Sequence, residues 1–224
     1  MINTTIQMKK IVLTFMLLAL TAMGAMAQKP ATKSASGGKT TSATDKTYTF
    51  NENGVDVLVM NQKFRIQPPV GSIYDKAVKK WVSDFGSTHY ELRKNGASIG
   101  EAIVGEGKLE GLYITAKTVR LDNGVKVGDL LYSVMGKAGV SAVLGSFDMD
   151  SDELSAIISY GDIEIIVSDP NNLSASGKKK KMDLEKKMAA WDPSETPDQP
   201  TANLTKDDFD LTVYVVGFSL GIKY

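Results

Sequence analysis

Any chemistry in this chain has to be built from a narrow set of side chains. Among 224 residues there is one histidine, His89, and no cysteine. The missing thiols exclude disulfides, thiolate zinc sites, iron–sulfur clusters and cysteine nucleophiles. A lone imidazole likewise excludes a two-histidine metal site within one chain. Strand alternation groups His89 with Glu91 and Arg93, opposite Tyr90 and Leu92, on a face that meets water or a second layer. A triad assembled from His89 and one of the serines is not expected, and His89 reads as an ordinary surface or edge histidine without a catalytic role. Glu101, Glu106 and Glu110 have the functional groups for acid–base work, but spacing along the chain does not supply the separation such work requires.

Two charged runs invite a ligand. Asp148, Asp150 and Asp152 match the first three ligand positions of a calcium loop, and Glu153 adds a fourth carboxylate. However, Glu153 stands where such a loop needs glycine, and Ser159 stands where it needs a bidentate glutamate. The expectation is a solvated acidic turn with at most weak calcium binding and no other cofactor. Lys178, Lys179, Lys180, Lys181, Lys186 and Lys187 form a basic segment diluted by Asp183 and Glu185. It reads first as a solvated helix face and, more sharply, as a surface for an anionic lipid or an acidic partner. The acidic stretch Asp192, Glu195, Asp198, Asp207 and Asp208 is a candidate partner within the chain.

The N-terminus indicates export. Lys9 and Lys10 precede the apolar run Ile11–Leu20, and Ala25-Met26-Ala27 supplies small residues at the alternate positions read by signal peptidase. The run is about half the roughly 20 residues a membrane-spanning helix needs, so residues 1–27 are expected to be a cleaved signal. Translation starts at Met1 or Met8. Loss of Lys9 and Lys10 from a chain with 26 basic and 26 acidic residues leaves a net charge of −2, which excludes a strongly basic nucleic-acid binder. Residues 28–46 are rich in Ser, Thr, Ala, Gly and Lys and hold no large apolar side chain before Tyr48, so they read as a flexible spacer.

The positioning elements follow. Val55, Val57 and Val59 alternate, and Phe64-Arg65-Ile66 resumes the pattern, suggesting short strands. Tyr74, Ala77, Val78, Trp81, Val82 and Phe85 fall at helical spacing, with Ser72 as N-cap and Gly86 as C-cap, which predicts an amphipathic helix over 72–85. Asn95-Gly96 predicts a tight hairpin between Thr88–Lys94 and Ala97–Val104, with Leu92 facing Ile99. A further strand is expected over Leu109–Ala116. Asp129 is expected to cap a short helix over 129–138. Gly161-Asp162 joins a second hairpin, and Lys178–Trp191 carries a thin helical stripe. Residues 192–208 read as a loop or linker, and Phe209–Tyr224 as a long closing strand. Its apolar positions change from odd to even near Val215-Val216-Gly217, which predicts a β-bulge there.

Residues 113–139 resemble the strand, Gly-Val-x-Val-Gly-Asp, helix module of small Gram-negative periplasmic and outer-membrane-associated domains of the SmpA/OmlA type. That resemblance implies an assembly or binding role without catalysis. Those families often carry a lipidated cysteine, which this chain lacks.

The combined expectation is one α+β domain over 47–224. It has a mainly antiparallel sheet, two or three helices packed on one side, and a long bulged C-terminal strand. The expected function is that of a non-catalytic binding or assembly module, periplasmic or extracellular, whose partner is an envelope protein or an anionic surface. An outer-membrane-associated protein docking or inserting through residues 209–224 is the alternative, and a hydrolase comes third.

Overall fold

The computed structural model describes residues 46–146, 153–194, 196 and 198–222. The expected signal peptide and the spacer up to residue 45 lie outside them. Among the described residues thirteen strands form two sheets. The smaller takes β1 (Tyr48–Asn51), β2 (Gly54–Val55), β3 (Leu58–Val59) and β8 (Val119–Leu121) in the order β3-β2-β1-β8, with β1 and β8 parallel. The larger contains β4 (Lys76–Val82), β5 (Thr88–Lys94), β6 (Ala97–Gly105), β7 (Lys108–Ile114), β9 (Val140–Gly145), β10 (Ser155–Tyr160), β11 (Ile163–Val167), β12 (Ala202–Leu204) and β13 (Val215–Leu220). Their order is β12-β9-β10-β11-β13-β7-β6-β5-β4, and every adjacent pair is antiparallel. Two helices, α1 (Leu131–Val134) and α2 (Ala175–Ala189), and a 3-10 turn at Lys206–Asp208 complete the described elements. No helix among the described residues is long and apolar enough to cross a membrane.

One face of the large sheet is the core. Leu92, Ala102, Leu112, Phe218, Ile165, Ile158 and Leu144 point into it from seven consecutive strands, all buried. Phe50, Val55, Leu58, Val119 and Leu121 of the small sheet, Leu131 and Val134 of α1 and Leu184 of α2 join the same cluster. Phe50 lies with its ring 5.9 Å from that of Phe218. Strand β13 is hydrogen-bonded on both sides, to β11 and β7, and stands fifth of the nine.

The hairpins follow their turn chemistry. Asn95 and Gly96 take φ of 51° and 81° between β5 and β6, as a type I′ turn requires. Gly161, with φ 57°, opens the turn between β10 and β11. Leu92 does not face Ile99, however. The register passes from Leu92↔Gly100 to Arg93↔Ser98, so Ile99 is an extra residue in a bulge.

The expected helix over 72–85 is a strand. Lys76–Val82 forms β4, the edge of the large sheet, and Ser72 bonds Pro69 through its hydroxyl instead of capping a helix. Pairing with β5 outweighs the modest helix propensity of this stretch, and the expected apolar stripe is buried only in part: Tyr74 and Ala77 lie in the core, whereas Val82 is 47% and Phe85 87% exposed. The spacing misled because β4 contains a bulge. Lys79 pairs with Tyr90 and Trp81 with His89, leaving Lys80 as the extra residue. A one-residue slip in a two-residue period imitates three- and four-residue spacing.

Smaller differences have equally local causes. Helix α1 is one turn long and starts after Leu130; the Asp129 carboxylate accepts the Lys126 N–H rather than capping it. Helix α2 begins at Ala175, with Ser174 as its N-cap. The stretch 192–208 is not featureless, because β12 and the 3-10 turn lie within it. Strand β13 covers six residues, shorter than the expected run 209–224, and its register opposite β11 passes from Ile166↔Gly217 to Val167↔Val215, leaving Val216 unmatched.

Candidate functional site on the open sheet face

The second face of the large sheet is built from the residues that alternate with the core. In register across it run Glu91 of β5, Glu101 of β6, Tyr113 of β7, Ser219 of β13, Glu164 of β11, Ser159 of β10 and Ser141 of β9. This is a continuous polar row. Most of its members are half-buried, whereas their neighbours on the opposite face are buried apolar side chains. Two residues along the same strands lie Ile166, Ile157 and Val143, also half-buried, with Ile157 and Val143 directly paired.

The β4–β6 end carries the charge. His89 Nδ1–H donates to Glu101 Oε1 at 2.5 Å, and the two side chains are only 13% and 14% exposed. Trp81 stacks on the imidazole with ring centroids 3.6 Å apart. The bulge at Lys80 makes that contact, because without the extra residue Trp81 would point to the core face. Glu91 accepts from Arg93 Nε at 2.9 Å and Nη2 at 2.7 Å, with Lys80 Nζ at 3.7 Å. Burial pushes the Glu91 carboxyl up, but Arg93, Lys80 and the Ser98 hydroxyl outweigh it and hold Glu91 below the usual carboxylate range. Both carboxylates at this end are therefore matched by cationic or N–H partners.

The middle of the row differs. Glu164 has no hydrogen-bond or ion-pair partner among the described residues, and burial pushes its carboxyl up. Its register neighbour Ser219 is 1% exposed, and the Ser219 hydroxyl has no hydrogen-bond partner among the described residues. The ring of Tyr113 lies across the strand at Gly217, where an added Cβ would fall 2.8 Å from Tyr113 Cε2 and 2.7 Å from the Ile114 carbonyl oxygen.

Ser219 is the residue that sequence reasoning missed, although a signal was present. Gly217-Phe218-Ser219-Leu220-Gly221 has the Gly-x-Ser-x-Gly spacing of a nucleophile elbow. The structure places it in the middle of a strand, not at a strand-to-helix turn, and Ser219 has no positive φ. His89 stands three strands away on β5, about 14 Å at the usual strand spacing. The spacing thus does not bring a serine to the imidazole. The two glycines instead allow close approach, to Ile114 and Tyr113 at Gly217 and to Glu110 and Met60 at Gly221.

The other expected site residues are dispersed. Asp148, Asp150 and Asp152 lie outside the described residues, and Glu153 is exposed at the start of β10's approach. No group of three or more metal-ligating side chains is gathered among the described residues. The six lysines do not act as one surface. Lys180 bonds the buried Asp208 at 2.7 Å and the Asn203 carbonyl at 3.0 Å, Lys181 bonds the Leu154 carbonyl at 3.2 Å, and Lys186 pairs with Asp183 at 3.6 Å. Lys178, Lys179, Lys186 and Lys187 are exposed. Comparison with protein-family models, curated protein sequences and solved structures finds no match to this chain.

Proposed function

We propose that the chain is an exported, non-catalytic binding or assembly module of a bacterial envelope, acting in the periplasm or outside the cell, and that it binds through the open face of the large sheet. The observation that carries this reading is the unmatched pair Glu164 and Ser219, set in a half-buried polar row beside Ile157 and Ile166. A carboxylate and a hydroxyl withdrawn from water without partners do not contribute to folding stability. Such groups, on a face whose opposite side carries the whole core, suit a surface completed by something else. Helices α1 and α2 and the small sheet cover the first face, and among the described residues none of these elements packs on the second. The signal-like N-terminus supports export, and the exposed lysines of α2 offer a secondary contact to an anionic surface.

Docking through residues 209–224 is less favoured, because β13 is the middle strand and its release would dismantle the sheet. Hydrolysis has one observation in its favour, the His89–Glu101 pair, whose geometry orients an imidazole as a general base requires. Among the described residues, however, no hydroxyl is hydrogen-bonded to that ring.

The test is retention on washed envelope fragments of wild type, an Ile157→Asp/Ile166→Asp variant on the open face, and Leu211→Asp at an exposed site elsewhere. Wild type and Leu211→Asp should sediment with the envelopes and the double variant should not. Equal behaviour of all three would overturn the assignment of the face.

A further inference from the structure

The sequence holds three Asn-Gly steps, at Asn53, Asn95 and Asn123. Asparagine is thermally labile, most so before glycine, whose nitrogen is unshielded and whose backbone turns freely toward the preceding side chain. The reaction needs only water. The deprotonated glycine nitrogen bonds to the asparagine Cγ, the side-chain nitrogen leaves as ammonia, and a cyclic imide forms. Water then reopens the imide at Cγ, giving aspartate, or at the backbone carbonyl, giving isoaspartate with the main chain routed through Cβ and Cγ. The fold treats the three steps differently. The Gly124 N–H is engaged, donating to the Leu121 carbonyl at 3.0 Å, and the Asn123 side chain accepts from the Val125 N–H at 3.2 Å and donates to the Ala138 carbonyl at 3.4 Å. Gly54 is a buried residue of β2, paired with Asn51 and Val59, where an added Cβ would strike the Leu58 carbonyl oxygen. Asn95 and Gly96 are both exposed. Neither the Asn95 side-chain amide nor the Gly96 N–H has a hydrogen-bond partner among the described residues.

What holds the Asn95-Gly96 step back is the turn itself. Its φ values of 51° and 81° belong to the closed type I′ conformation, and the imide closes only when Asn95 rotates out of it. The bulge at Ile99 leaves the pairs Arg93↔Ser98 and Lys94↔Ala97 between the turn and the regular ladder, so this hairpin end can open while the sheet stays intact. Asp75 acts against opening. Its Oδ2 accepts the Asn95 N–H at 2.8 Å, and its Oδ1 accepts Lys94 Nζ at 2.8 Å. We propose that Asn95-Gly96 is a site of spontaneous conversion to aspartate and isoaspartate, with Asp75 as the clamp that sets its rate. Isoaspartate adds a main-chain atom to a two-residue turn, and either product places a new carboxylate on the turn that the Asp75 carboxylate holds, where like charges repel. The Lys94↔Ala97 pair and the Asp75–Asn95 bond are then lost. That loosens the end of β5 carrying Arg93, the residue that donates to Glu91 on the open face. The inference stands on the turn and does not depend on the open face being a binding surface.

Incubation of the purified chain at pH 8 and 37 °C for several weeks tests it. Samples are read by peptide mapping with mass spectrometry and by methylation with an isoaspartyl methyltransferase, with 1H–15N spectra in parallel. Residue 95 should convert at least about threefold faster than residues 53 and 123, the factor that one retained hydrogen bond supplies. It should also convert faster at pH 8 than at pH 6, because ring closure needs the deprotonated nitrogen. Asp75→Ala, at a half-exposed position, should speed residue 95 by about threefold more and leave the other two sites unchanged. Asp75→Asn, which weakens the same two bonds without removing bulk, serves if Asp75→Ala does not fold. Asn95→Gly keeps a pair suited to the turn and should abolish both the conversion and the accompanying shifts of the Arg93 and Lys94 amides. Conversion first at residue 53 or 123, or none at residue 95 over the same period, would overturn the site. A folded Asp75 variant that converts no faster than wild type would overturn the clamp.

Discussion

Asp208 should be the most consequential charged residue in the fold. Its side chain is 1% exposed, yet it accepts four hydrogen bonds. Oδ2 takes Lys180 Nζ at 2.7 Å, the Thr205 N–H at 2.7 Å and the Thr205 hydroxyl at 2.9 Å, and Oδ1 takes the Ser176 hydroxyl at 2.7 Å. These donors come from the first two turns of α2 and from the entry to the 3-10 turn, so one carboxylate ties the lysine-rich helix to the segment behind β12. The helix comes close enough for this because residue 177 is glycine; an added Cβ would strike the Asp208 carbonyl oxygen. Burial alone would raise the carboxyl, but Lys180, Thr205 and Ser176 more than compensate and lower it from 3.8 to about 2.

That difference corresponds to about 2 kcal/mol in favour of the charged form in the folded chain. Asp208→Asn keeps the shape and removes the charge, so it should cost about 2 kcal/mol at pH 7, or about 4–8 °C in Tm for a domain of this size. The sign with pH follows from the lowered value. The stabilisation is complete above the ordinary 3.8 and is lost as pH falls through about 2. Urea denaturation of wild type and Asp208→Asn from pH 7 to pH 3 should therefore show a gap that is constant down to about pH 5 and narrows below it. A gap under about 0.5 kcal/mol at pH 7, or one that does not narrow in acid, would refute the account.

Three further outcomes are expected. Glu164→Gln should leave the chain as stable or make it more stable at pH 7, because burial raises this carboxyl and penalises its charged form; the advantage should fade as pH falls through the raised value towards the ordinary 4.5 and be gone below it, which paired thermal melts will show. Gly217→Ala should cost about 1–3 kcal/mol in chemical denaturation, since its methyl group would press on the Ile114 carbonyl and the Tyr113 ring. Phe218 is fully buried against Phe50 in the middle strand, so Phe218→Ala should cost about 3–5 kcal/mol and Phe218→Asp should abolish the cooperative melt followed by circular dichroism.

Much of the fold could be read from local chemistry. Asn95-Gly96 and Gly161-Asp162 announced their hairpins because the turns need backbone conformations that few residue pairs adopt. The strands of the second hairpin were equally plain, since Ile163, Ile165 and Val167 alternate without interruption and are all buried. The phase change at Val215-Val216 falls where the β11–β13 register shifts. What could not be read was non-local. Whether residues 76–82 become helix or strand depends on the partner that β5 provides, which sets Val78 opposite Glu91 and Lys79 opposite Tyr90, and not on their own propensity. The acidic segment carrying Asp208 looked like linker because its stabilising partners, Lys180 and Ser176, lie on a different element. Ser219 carried a recognisable spacing, but its burial is a property of the central strand and only the sheet order reveals it.

The open face owes its composition to irregularities in the sheet. In a regular ladder each residue type keeps to its side, and a single extra residue exchanges the sides for everything beyond it. The register shifts between Lys79 and Trp81, between Leu92 and Arg93, between Ile103 and Val104 and between Ile166 and Val167. The first carries Trp81 to His89 while Ala77, on the other side of the slip, stays in the core. The last keeps Val215 and Phe218 both buried, and so leaves Ser219 between two core residues on the opposite side, next to Glu164. The hydrophobic requirement that fixes β13 at the centre of the sheet is thus the same one that withdraws a hydroxyl and a carboxylate from water on the other face. Core packing explains why those two groups are brought together, and it offers neither of them a partner among the described residues.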